Sequence, residues 1–337
     1  MRMLNIRGYV MGGVSAVLST AFLVGGAANA EEIEISNYGV STSSMPYAVA
    51  LGAGFFEEEG LDITGIRTSP GGAATIRNLL AGDLPFGEAG LTATLAAIRG
   101  GAGIKVIGTT GNTVAEIGWA VMPDSPIQSI EDLKGATVSY TNPNSTTQAL
   151  ALMLIQAAGL EQDDVELLST GGVGPGLAAL EHGQVDVAPI TEPNYSREPD
   201  KYRILAWAPD VLPPLVSVLA LTTDEVIAER PEFLKSVMRA RQKAVQLMND
   251  NPAEAAKHVA EPFKITPETA EALIRRLQTP TGPDQVRHWS EGAIYLTSMT
   301  NLADAQILLG VDYSDIDWDA IIDDSFMPED QKGLYDQ

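Results

Sequence analysis

The chain of 337 residues carries 44 acidic against 21 basic residues, a formal net charge of −23, so nucleic acid and anionic lipid surfaces would repel it and are excluded as partners. It contains no cysteine, which excludes a disulfide framework, a thiolate metal site and a lipid-modified cysteine. With 45% apolar residues it can bury full cores, and its length suggests one large or two medium domains.

Met1 to Ala30 has the layout of an export signal. Arg2 and Arg7 make the start positive, Val10 to Val24 is apolar or small, and Ala28-Asn29-Ala30 is a small-x-small cleavage site. The apolar run is short for a membrane span and the chain turns acidic directly after it. Cleavage near Ala30 is therefore expected, with a retained anchor as the alternative. A cleaved chain without a lipid anchor points to a free periplasmic protein, expected to be a monomer.

Ile33 to Ile35 opens the first strand, which breaks into Tyr38-Gly39-Val40-Ser41-Thr42-Ser43-Ser44-Met45-Pro46. Pro46 suits a helix start, and the spacing predicts one helix from Tyr47 to about Glu59, stopped by Gly60. A second strand over 61–67 leads into Ser69-Pro70-Gly71-Gly72-Ala73 and a helix through Leu80. The paired glycines either form a plain tight turn or let backbone N–H groups approach a ligand at the helix start. A strand over 84–87 follows, then a helix beginning at 88–92, with Glu88 as either its cap or a cleft acceptor. A fourth strand over 104–108 ends in Thr109-Thr110-Gly111-Asn112, and 117–122 is extended, with Trp119 read as core.

Ser129 and Gly135 bracket a small helix, after which a strand over 137–140 opens into Thr141-Asn142-Pro143-Asn144-Ser145-Thr146-Thr147 and a helix over 148–158. Strands over 165–168 and 185–189 flank the glycine-rich 171–176, and the last leads to Thr191-Glu192-Pro193-Asn194-Tyr195. Apolar runs at 203–208 and 216–221 return as strands. Helices are expected over 232–248, 268–277, 288–302 and 304–310, bracing the lobes, with an acidic solvated stretch at 315–323.

The segment PGGAATIRNLLAGDLPFGEAG, from Pro70, returns as GGVGPGLAALEHGQVDVAPITEP, from Gly171. At one constant offset Gly71 meets Gly172, Gly82 meets Gly183, Leu84 meets Val185 and Phe86 meets Val187. Two similar lobes are implied, each a glycine loop, a helix and a buried strand. The expected division is 31–120 for the first part of lobe 1, 121–215 for lobe 2, and 216–337 for the return to lobe 1 with the C-terminal helices.

In alternating α/β units ligands bind beyond the carboxyl ends of the parallel strands, where these polar loops lie. Loops 38–46, 69–73, 88–92, 109–112, 141–147, 171–176 and 191–195 hold no Lys or Arg and two carboxylates, Glu88 and Glu192. A neutral, zwitterionic or nitrogen-rich solute fits them better than a strong anion. His182, His258 and His288 are predicted on helix bodies or ends, away from the loops, and no close metal-ligand spacing occurs. No catalytic residue, metal or cofactor is therefore expected.

Five segments in order, the signal, SMPYAVALGAGFFEEEGLDI, GGAATIRNLLAGDLPFGEAG, DSPIQSIEDLKGATVSY and GLAALEHGQVDVAPITEP, resemble the periplasmic substrate-binding proteins of the nitrate, sulfonate, taurine and thiamine-pyrimidine group, the SsuA/THI5-like and NMT1-like proteins. The resemblance implies a two-lobed α/β periplasmic binding protein type II fold, with a mixed or parallel sheet flanked by helices in each lobe and the ligand cleft between them. It implies a solute receptor of an ABC-type importer that delivers a small organic solute, such as a pyrimidine or a taurine-like sulfonate, to the membrane permease subunits. By position, the pocket would draw on Tyr38, Ser43, Ser44, Met45, Gly71, Gly72, Ala73, Glu88 and Asn112 from the first lobe, and on Asn142, Ser145, Thr146, Glu192 and Tyr195 from the second. A ligand sensor of the same fold, signalling to a membrane partner, is the alternative. Some relatives synthesise the thiamine pyrimidine with a histidine and a cysteine-rich motif, and the lack of cysteine argues against that chemistry here.

Overall fold

The computed structural model describes residues 31–143, 145–280, 286–329 and 331. The expected export signal lies outside them. In chain order the first part contains β1 (Glu31–Ser36), α1 (Met45–Gly52), β2 (Ile63–Ser69), α2 (Gly72–Leu80), β3 (Gly87–Gly90), α3 (Leu91–Arg99) and β4 (Ile104–Gly111). The middle contains β5 (Ile117–Val121), β6 (Thr137–Tyr140), α4 (Thr146–Ala157), β7 (Glu166–Ser169), α5 (Val173–Glu181), β8 (Ala188–Thr191) and β9 (Arg203–Trp207). The chain then forms β10 (Val218–Thr223), α6 (Pro231–Asp250), α7 (Pro252–Phe263), α8 (Pro267–Leu277) and α9 (Leu296–Ala305).

These elements build two lobes of the same plan. In lobe 1, β2, β1 and β3 run parallel, and β10 inserts antiparallel between β3 and β4, giving the order β2-β1-β3-β10-β4. In lobe 2, β6 and β7 are parallel, β6 meets β8 through the parallel bridge Val138 to Val187, and β5 pairs antiparallel with both β8 and β9. The order β7-β6-β8-β5-β9 repeats that of lobe 1 position by position. Because β5 already pairs in the second sheet, the chain crosses between lobes in 112–116, a few residues before the division expected at 120.

The period-two strands and the amphipathic helices fill two large cores. Ile33, Ile35, Tyr47, Phe86, Phe263 and Trp289 pack in lobe 1. A second cluster joins the lobes, running from Leu95 and Leu219 through Trp119 to Leu154 and on to Met299. Burial of a large apolar side chain contributes about 1.5–3 kcal/mol, so these clusters carry most of the driving force.

Several elements depart from the sequence expectation. The helix expected over 47–59 divides, because Gly54 takes φ +78° and Gly52 lies so close to His258 that a Cβ would stand 2.6 Å from its Nδ1. Helix α7 was not expected, although Asn251 caps it by accepting from the Glu254 N–H at 3.3 Å. The helix expected from His288 begins only at Leu296, since the preceding residues are held by side chains: Trp289 Nε1 donates to the Thr42 carbonyl at 3.0 Å, and Gly292 adopts φ +127°. The strand expected over 84–87 is displaced to 87–90, which carries Glu88 into the sheet.

Arg241 ties this core together. It is fully buried on α6 and donates to the carbonyls of Thr110, at 2.7 Å, and Ser290. Arg241→Met should cost about 3–5 kcal/mol in urea unfolding, since it strands two buried carbonyls and removes the cation beside Glu88. Arg239→Met, at a half-exposed pair with Glu59, should cost less than about 1 kcal/mol.

Candidate functional site

Between the lobes, beyond the carboxyl ends of the parallel strands, lies a cleft of about 1160 Å³ lined from both sides. Its walls are helix starts. Gly72-Ala73 of α2, Thr146-Thr147 of α4 and Val173-Gly174 of α5 all face it. The N-cap residues of α2 and α5 are Gly71 and Gly172, and no side chain caps either helix. Both glycines of the first pair are needed: Gly71 has φ +151° and ψ 166°, a conformation reserved for glycine, and a Cβ on Gly72 would stand 3.1 Å from the methyl groups of Ala89 and Ala93. First-turn N–H groups are donors with partial positive charge, so this wall favours ligand acceptors.

The rest of one wall is a helix face. Ala73, Ile76, Arg77 and Leu80 are spaced to share one side of α2, and all four line the cleft, as do Thr92, Ala93, Ala96 and Ala97 from α3. Thr92 Oγ1 meets Thr146 Oγ1 across the lobes at 3.2 Å. The floor is acidic. Glu116 and Glu192, neighbours across the end of the β5–β8 ladder, line it together with Ser217. Glu192 pairs with Arg276 Nη2 of α8 at 2.9 Å and accepts from the Ser196 N–H at 3.2 Å. Arg276 lies over the Trp207 ring, 4.3 Å from its centre, and donates to the Ala115 carbonyl.

Of the residues expected at the site, Ser43, Gly71, Gly72, Ala73, Asn142, Ser145, Thr146 and Glu192 line the cleft. Six lie elsewhere. Tyr38 turns away onto Phe263 of the unforeseen α7, ring centres 6.3 Å apart, where burial and Glu261 push its hydroxyl up to about 12. Ser44 and Met45 are buried at the start of α1, Ser44 donating to the Ser41 carbonyl. Glu88 is fully buried in β3 beside Tyr47, Thr110 and Arg241, and burial pushes its carboxyl up to about 7 against the opposing charge of Arg241. Asn112 is buried behind the floor, its N–H on the His288 carbonyl at 2.8 Å. Tyr195 sets its ring edge against Trp207 at 5.5 Å.

Other residues were missed. Arg77 also lines the cleft: the polar loops hold no cation, and this one comes from a helix face, its place one helical turn beyond Ala73 being the available signal. Glu116 lies in the crossing segment, just past the last loop considered in that lobe. Its carboxyl accepts from Ser217 Oγ at 3.0 Å, and burial raises it to about 7. His288 is on no helix: it is fully buried in the irregular segment, with Nδ1 3.0 Å from Thr113 Oγ1 and 3.5 Å from Glu116.

The model of the NMT1/THI5-like family matches residues 41–255. The chain belongs to this family. A candidate binding protein of Brucella abortus (strain 2308) is 25% identical over 273 residues, covering 76% of this chain and 79% of its own. Among solved structures, the periplasmic aliphatic sulphonate binding protein SsuA of Escherichia coli superposes with a TM-score of 0.70 at 18% identity, over 87% of this chain and 91% of its own. The periplasmic nitrate-binding protein NrtA of Synechocystis PCC 6803 gives 0.68 at 13% identity, over 88% and 86%. At these identities the structural likeness shows the fold, a two-lobed binding-protein architecture. No helix among the described residues is long and apolar enough to cross a membrane, and no cluster of potential metal ligands is present among them.

A carboxyl raised by burial holds its proton more tightly in the folded chain than in the unfolded one. Its contribution to stability is therefore complete below its ordinary value of 4.5 and is lost as pH rises towards 7. Glu88→Gln should match the wild type in acid, gain stability relative to it as pH rises through this window, and keep a constant gain above. Melting midpoints of the two ligand-free proteins across that range check this, and parallel profiles would contradict it.

Proposed function

We propose that this chain is the solute-capturing receptor of an ATP-driven importer, working in the periplasm after loss of its first 30 residues. The observation that carries the reading is the cleft itself: large enough for a small organic solute, lined by both lobes, and bounded by helix starts on each side. A solute seated there touches Gly72 and Thr92 of lobe 1 and Asn142 and Thr146 of lobe 2 at once, so binding favours the closed arrangement over any open one. Family membership supports this, as do relatives whose names describe sulphonate and nitrate binding. The permease subunits of the importer are the proposed partners, and the receptor acts as a monomer.

A receptor needs no turnover, and the placement of the histidines favours binding over catalysis. His182 ends α5, His258 lies in α7, and His288 is sealed behind the floor with its imidazole held down to about 3 by burial and by Arg276. None of the three lines the cleft.

A thermal-shift screen of residues 31–337 against sulfonates, nitrate, amino acids, amines, pyrimidines and aromatic acids tests the reading. A solute at a hundred times its dissociation constant should stabilise by about 2.7 kcal/mol, raising the melting midpoint by several degrees. Ala73→Trp, which fills the cleft from an exposed helix position, should abolish the shift while leaving the unliganded midpoint nearly unchanged. A panel in which no solute shifts the wild type, or a shift that survives Ala73→Trp, would count against capture in this cleft.

A further inference from the structure

Three charged side chains line the cleft: Arg77, Glu116 and Glu192. Two of them are answered within the protein. Glu192 pairs with Arg276 at 2.9 Å. Glu116 accepts from Ser217 Oγ with one oxygen and turns the other back to the buried His288, and burial raises its carboxyl to about 7, so in mild acid it keeps its proton. Arg77 is exposed and makes no ion pair, hydrogen bond or ring contact with any described residue. In a chain with 44 acidic residues against 21 basic ones, carboxylate partners are plentiful: Arg67 has Glu32, Arg99 has Asp315 and Arg239 has Glu59. A guanidinium left open on a cleft wall is thus a counter-charge for what enters.

The wall around this cation is apolar. Ile76 and Leu80 share its side of α2, and Ala93, Ala96 and Ala97 continue the wall from α3. Four large apolar side chains are exposed among the described residues, and two of them, Val40 and Leu80, line this cleft. An apolar surface kept open beside an unpaired charge fits a solute that has both kinds of group.

We propose that Arg77 selects the solute: the cleft takes an organic carboxylate whose two oxygens meet the Arg77 guanidinium and whose apolar body, a ring or a chain of similar length, lies on Ile76, Leu80 and the alanines of α3. This deepens the receptor reading and rests on it. The acidic floor does not oppose such an anion, because one of its carboxyls is paired and the other is held inward by Ser217. A guanidinium presents parallel N–H donors that match a planar carboxylate. The wall residues beside Arg77 have no side-chain donor for the third oxygen of a sulfonate, whose oxygens are also the weaker acceptors. Nitrate would leave the apolar wall bare and most of a cleft of about 1160 Å³ unfilled.

Isothermal titration at about pH 6, where carboxylate probes are ionised, tests this with matched sets on one skeleton. Phenylacetate is compared with phenylacetamide and phenylmethanesulfonate, and hexanoate with hexanamide and pentanesulfonate; acetate and nitrate serve as anions without a body. At least one of the two larger carboxylates should bind roughly tenfold or more tightly than its amide, its sulfonate and acetate, as expected of a charge-assisted bidentate contact. Arg77→Gln should erase the preference over the amide without moving the unliganded melting midpoint, since the side chain holds no described residue. Arg77→Lys, which keeps the charge but loses the planar donors, should keep the preference over the amide and lose that over the sulfonate. The proposal is overturned if neither carboxylate is preferred over its amide, if Arg77→Gln retains the preference, or if the sulfonates, acetate or nitrate bind as tightly as the larger carboxylates. Each of these outcomes leaves the receptor reading intact, since that reading fails only when no solute of any class binds in the cleft.

Discussion

Each lobe completes its sheet with an antiparallel strand from the other side of a chain crossing, and this exchange positions everything else. β5 leaves lobe 1 to pair between β8 and β9, and β10 leaves lobe 2 to pair between β3 and β4. The two connections that result, 112–116 and 208–217, run side by side behind the cleft, joined by the Ser217 N–H on the Gly111 carbonyl and by the Ser217 hydroxyl on Glu116. Polar groups on the crossings thus sit at the floor, while the parallel strands direct their loops and helix starts to the walls. Lobe separation must bend these crossings, so a group placed on them senses both the solute and the arrangement of the lobes.

The parts legible in the sequence were those fixed by local pattern. Glycine-stopped helices, alternating strands and the constant offset between Gly71 and Gly172 gave two lobes of one plan, and the polar loops at 69–73 and 141–147 do reach the cleft. What stayed hidden depended on partners remote in the chain. Glu88 read as either a helix cap or a cleft acceptor because it sits where a strand seems to give way to a helix; only the β1 and β10 strands on either side of it show that it lies inside a sheet. Tyr38 was read by its position in a polar loop, but Gly39, at φ +78° and pressed against the Pro262 carbonyl, carries the turn onto α7. Arg77 was passed over for the opposite reason: loops were searched, and a helix face supplied the cation.

Charge is distributed unevenly with respect to burial. The chain is strongly acidic overall, yet buried Arg241 and half-buried Arg276 are where the interior needs positive charge, one beside Glu88 in lobe 1 and one between Glu192 and the Ala115 carbonyl at the lobe junction. Arg241 meets two backbone carbonyls, and Arg276 one carbonyl and one carboxylate, which a planar guanidinium with several donors can do and an ammonium cannot do as well. The acidic surface keeps polyanions away without touching this internal balance.

The strand exchange also sets an order of assembly. All strands of lobe 2 lie in one continuous stretch, from Ile117 to Trp207, so its sheet can close using contacts near in sequence. Lobe 1 cannot: β3 keeps an unpaired edge until β10 arrives, and Trp289 reaches its bond with Thr42 across 247 residues. Non-local closure is slow, and an open strand edge invites wrong pairing. The half of the molecule synthesised first is therefore finished last, and a chain emerging amino terminus first exposes that edge for most of its length. Holding such a precursor unfolded until its final third is present would protect the lobe that most needs it.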